Sequence, residues 1–121
     1  MKQSTIMQAY KALLQLSGQE LPIREAWAVA KLMDKLRPYW EFQAAEEQKF
    51  LAGHAWRPDG ESIHFDTPED AEAFGQRIRE IAELEQDIEV KPFKLRLTDD
   101  IKLTAQDIRA LDGLFVEFTE A

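Results

Sequence analysis

The six residues Ser17-Gly18-Gln19-Glu20-Leu21-Pro22 separate two runs of helical periodicity, and reading them as a turn decides the fold. Before them, Ile6, Ala9, Tyr10, Leu13 and Leu16 recur at steps of three and four. That spacing makes one apolar stripe on a helix from about Thr5 to Leu16. Ser4 or Thr5 supplies a hydroxyl to cap its first turn. Ser17-Gly18 ends it, because glycine accepts the left-handed conformation that closes a helix.

After the turn, Pro22 marks a second helix start, since proline's missing N–H has no partner there anyway. Ala26, Val29, Met33, Leu36 and Trp40 follow a 3-4-3-4 pattern, and Trp27, Ala30 and Leu32 widen the stripe. Small residues at 26, 28 and 30 permit close helix approach. Arg37-Pro38 interrupts the run, and an internal proline kinks or breaks a helix. The expectation is a bend there, with helix resuming through Tyr39 to about Leu51 and Glu46 to Lys49 on its wet side. The two runs together predict a kinked helical hairpin with a wide apolar face over residues 23–42.

Downstream the period changes. Trp56-Arg57-Pro58-Asp59-Gly60-Glu61 is a turn signal. Ile63 and Phe65 alternate with Ser62, His64 and Asp66, which predicts a short strand paired with residues 55–57. Thr67-Pro68-Glu69-Asp70 opens a third helix, with the acids at the positive end of its dipole. Ala71, Phe74, Ile78 and Ile81 form its stripe. Phe93, Leu95 and Leu97 alternate with Lys94 and Arg96 in a further strand, beside Pro92 at an edge or register shift. Thr104 caps a short helix holding Ile108 and Leu111, closed by Asp112-Gly113. Residues 114–118 add a last strand. The fold class is therefore α+β and mostly helical, a single domain over 1–121. The hairpin packs with helix three and a small antiparallel sheet from 55–65, 88–97 and 114–118.

Composition narrows function. The chain has no cysteine, which removes disulfides, thiolate zinc sites, iron–sulfur clusters and cysteine nucleophiles. Neither a signal peptide nor a run of about 18 apolar residues is visible. A cytoplasmic location without membrane contact is expected. The net charge of −8 is uneven: residues 1–58 carry 8 Lys/Arg against 6 Asp/Glu, residues 59–121 carry 7 against 17. That acidity speaks against direct nucleic-acid binding, which needs local positive charge.

Candidate sites follow from residue types. Ser62, His64 and Asp66 hold the types of a catalytic triad, but at i and i+2 on a strand they lie about 6.5–7 Å apart along one face. A nucleophile and its base need contact near 3 Å. A solvated strand face is the better reading, and no catalytic residue is assigned. His54 and His64, with Asp59, Glu61 and Asp66, could serve a small metal-dependent enzyme. Their spacing lacks the i, i+4 geometry that aims two imidazoles at one ion, so neither metal nor cofactor is assigned. Glu83, Glu85, Asp87 and Glu89 crowd the end of helix three, where the dipole favours cations. They either face a basic surface, as on a nucleic-acid-binding partner, or form a cation site; or else they pair with Lys91, Lys94 and Arg96 or stand plainly exposed. Pairing or plain exposure is favoured. Trp27, Tyr39, Trp40 and Phe42 would anchor a protein interface if exposed. Trp27 reads as core, and the aromatics around Pro38 stand even between core and surface.

The order of elements resembles that of small prophage and phage proteins of uncharacterised function. Three segments carry the likeness: Ala9-Tyr10-Lys11-Ala12-Leu13 followed by Leu21-Pro22-Ile23 and the run to Leu36; the acidic helix leading into Ile88-Glu89-Val90-Lys91-Pro92; and Ile101-Lys102-Leu103-Thr104 through Ile108 and Leu111. The stretch from Tyr39 to Trp56 has no counterpart in it. The resemblance implies a small phage-encoded accessory or assembly protein, of a kind that can be oligomeric, and brings no site residues with it. The leading expectation is a non-enzymatic protein working through self-association or a protein partner.

Overall fold

The computed structural model describes residues 1–120. In chain order it contains α1 (Gln3–Ser17), α2 (Ile23–Ala52), β1 (Trp56–Asp59), β2 (Ser62–Phe65), α3 (Pro68–Ala82), β3 (Phe93–Arg96), α4 (Ala105–Leu111) and β4 (Val116–Thr119). The fold is α+β and mostly helical.

α1 and α2 double back on each other across the 17–22 turn. Ile6, Ala9, Tyr10, Leu13 and Leu16 are buried, together with Ala12. From α2 they meet Val29, Leu32, Met33 and Leu36. Removing these side chains from water drives the hairpin closed, at roughly 25 cal/mol per Å² of apolar surface. Leu95, Leu111, Phe115 and Val116 close the same core from the other side, so β3, α4 and β4 cover the hairpin.

Two helix starts carry side-chain caps, and those of α1 and α2 do not. At α4 the Thr104 hydroxyl accepts from Asp107 N–H while the Asp107 carboxylate accepts from Thr104 N–H, a complete capping box. At α3 the Thr67 hydroxyl accepts from Asp70 N–H, with Pro68 in the first turn. α1 instead begins behind Lys2, with no side-chain cap, so neither Ser4 nor Thr5 plays the expected role. The main chain compensates: Gln3 N–H donates to the Leu84 carbonyl.

α2 continues as helix through Pro38 to Ala52. Two further expectations change. Glu46 and Glu47 are half-buried rather than on a wet side. The strands do not form one antiparallel sheet. β1 and β2 make an antiparallel hairpin pairing Trp56 with Phe65 and Asp59 with Ser62, turned by Gly60 at φ +64°. β3 and β4 pair separately and in parallel, Phe93 against Val116 and Arg96 against Thr119. α4 supplies the crossover that parallel pairing requires.

A smaller aromatic cluster sits beyond the main core. Phe50 lies 5.3 Å from Phe74 and 5.9 Å from Phe65, and stacks on His54 at 4.0 Å. It joins the end of α2 to the hairpin and α3. No helix among the described residues is long and apolar enough to cross a membrane.

Candidate interaction surface

The first two turns of α2 present apolar side chains to solvent. Ile23 is 82% exposed and Trp27 is 65% exposed. They are one turn apart and share a face with Arg24 and Lys31. The Lys31 Nζ lies 4.9 Å from the centroid of the Trp27 ring, a cation–π contact. Trp27 is therefore not core: the buried stripe of Val29, Met33 and Leu36 runs along the far side of the helix. Ile23 adds an anchor that side-chain inventory did not single out. Its position four residues before Trp27, off the stripe, is the signal that identifies it.

The aromatics around Pro38 divide. Tyr39 and Trp40 are half-buried and packed against the core. Trp40 lies 4.8 Å from Tyr10, ring to ring. Phe42 is 39% exposed, further along α2. Trp40 also lines a groove between α1 and α2 with Ser4, Lys11, Gln43 and Glu47. Burial pushes the Glu47 carboxyl above its ordinary range, opposed by a hydrogen bond from Gln43.

The acids at the end of α3 find partners that the sequence did not suggest. Glu83 Oε2 accepts from Lys2 Nζ at 2.8 Å, and Glu85 Oε2 accepts from the Met1 ammonium at 3.1 Å. The hydrogen bond to Glu83, then its charge, holds the Lys2 ammonium above its ordinary value. None of Lys91, Lys94 and Arg96 forms an ion pair among the described residues, so the expected pairing with those cations is replaced by one with the chain's first two residues.

The histidines stand apart in role. The His54 ring Nδ1 lies 2.7 Å from the Phe50 carbonyl, and its Nε2 lies 3.8 Å from Asp70 Oδ1. His64 is exposed on β2 with Ser62, opposite Arg57. Among the described residues no three or more His, Asp or Glu side chains come together in a way that could hold a metal ion.

No family model matches the chain, and no curated protein or solved structure matches it either.

Proposed function

We propose that this chain is a non-enzymatic accessory or assembly protein of phage type that acts through protein–protein contact, with the Ile23–Trp27 corner of α2 as its contact surface. The observation that carries the reading is the exposure of an isoleucine and a tryptophan one helical turn apart, the two most exposed large apolar side chains among the described residues. Tryptophan dominates binding energy where it becomes buried, because it removes a large apolar area at little conformational cost. The phage-type setting rests on the resemblance of segments described above, and a cytoplasmic one on the cysteine-free composition.

The acidic-surface reading has less support, since Glu83 and Glu85 already answer to Lys2 and the Met1 ammonium. The metal-enzyme reading rests on His54 and His64, and His54 is engaged within its own cluster.

A photo-crosslinking residue at position 27 tests the proposal, with the exposed position 72 as control. The expected result is a discrete adduct from position 27 alone, competed by excess unmodified chain and not by the Trp27→Ala variant. No adduct, or one that the variant competes equally well, overturns it.

A further inference from the structure

We infer that the Ile23–Trp27 corner takes a partner segment that carries acidic side chains around an apolar anchor, and not a second copy of this chain. The inference rests on the reading of that corner as the contact surface and adds the chemistry of what covers it.

The charge around the two apolar side chains is positive. Arg24 lies three residues before Trp27 and Lys31 four after, so both flank it on one helix face. Neither forms an ion pair with a carboxylate among the described residues. Asp34, the acid two turns along that face, is taken by Arg37 at 2.8 Å. A chain of net charge −8 thus shows, on the helix face of its most exposed apolar point, two cations without an ion-pair partner, while Glu25, the first-turn acid of α2, stands about 200° round the helix from Trp27. An acidic partner gains both from steering toward that site and from matching it once docked.

Charge disfavours a two-fold contact with a second copy. A two-fold contact must lay the same patch against itself. With Trp27 at its centre and the helices antiparallel, Arg24 falls beside Lys31 of a second copy. With the helices parallel, each cation meets its own equivalent. Both arrangements set like charges together while the apolar side chains lose water. A lipid surface fits less well than an acidic protein segment, because anionic headgroups would repel the chain's overall charge and the apolar face here is only one turn long.

Calorimetry with two synthetic amphipathic peptides tests the assignment. One sets glutamates around a leucine pair at i, i+4, and the other has lysines in their place. The acidic peptide should bind the wild-type chain, weaken as salt rises, and lose about tenfold or more with Arg24→Glu or Lys31→Glu. Trp27→Ala should abolish binding, and the basic peptide should not bind. Light scattering supplies a second arm. The wild-type chain should stay monomeric, whereas Arg24→Glu should dimerise with concentration, because the new carboxylate then faces Lys31 of a second copy. Equal binding of both peptides, a wild-type dimer dissolved by Trp27→Ala, or Trp27-dependent binding to phosphatidylglycerol vesicles would overturn the acidic partner while leaving the corner a contact surface. No binding of either peptide would also overturn it. The crosslinking result from position 27 decides separately whether the corner is a contact surface at all.

Discussion

The side-chain amide of Gln86 donates to that of Gln3 across 3.0 Å, joining residues 83 positions apart in a partly buried polar contact. Gln3 is fully buried, and its Nε2 in turn donates to the Tyr39 carbonyl at 2.9 Å. One amide therefore ties the start of α1, the middle of α2 and the segment after α3 at a single point. Gln3→Met keeps the volume and removes the hydrogen bonds. A buried group left without its partner costs about 1–3 kcal/mol. Urea denaturation should show a loss in that range, with the midpoint falling and the slope unchanged.

The two faces of α2 should respond oppositely to truncation. Leu36 is fully buried, and Leu36→Ala should cost about 2–5 kcal/mol through lost transfer energy and the cavity left behind. Trp27→Ala removes a larger side chain from an exposed site, and stability should stay within about 0.5 kcal/mol of wild type. Thermal melts of the two variants side by side check this. A large loss with Trp27→Ala would mean that its ring packs within the fold.

Glu46 and Glu47 are neighbours with opposite pH behaviour. Hydrogen bonds from Arg77 and then Lys49 hold the Glu46 carboxyl below its ordinary range. Its stabilisation is complete above the ordinary carboxylate range and is lost as pH falls through its lowered value. Glu47 is raised by burial, so its ionised form opposes folding at neutral pH, and that opposition fades as pH falls through the raised value. Glu47→Gln should therefore raise the melting temperature at pH 7 and leave it nearly unchanged at pH 3. Arg77→Ala should lower it at pH 7 and have less effect at pH 3. Melting curves across that range read both signs.

Thr104→Ala removes one side of the capping box and should cost about 1 kcal/mol, since a first-turn N–H of α4 loses its acceptor. Ser4→Ala should be near neutral, because α1 has no side-chain cap. Equilibrium unfolding of the two variants distinguishes a used cap from an unused one.

Much of the fold was legible because short-range rules carry it. The α1 stripe, the α2 stripe, the Gly60 hairpin and the Thr67 and Thr104 caps are each written within about four residues of sequence. The placement of Trp27 was legible too: it stands nine residues, about two and a half turns, before Leu36, which puts it on the opposite side of the helix. Treating it as a widening of the stripe ignored that angle. The pairing of β3 with β4 was not legible. Alternation marks a strand without choosing its neighbour or direction, and a crossover through α4 follows from where the hairpin leaves room.

The sequence by itself determined the helical hairpin, the helix starts at Pro68 and Ala105, and the chemical types available to any site, because period, capping and side-chain identity are local properties. Only the tertiary structure decided that Lys2 and the Met1 ammonium answer the acids ending α3, that Gln3 is buried, and that Ile23 and Trp27 remain uncovered. Those outcomes depend on which surfaces meet when α3, β3, α4 and β4 close over the hairpin, and contacts between residues more than 80 positions apart leave no periodic trace in either segment.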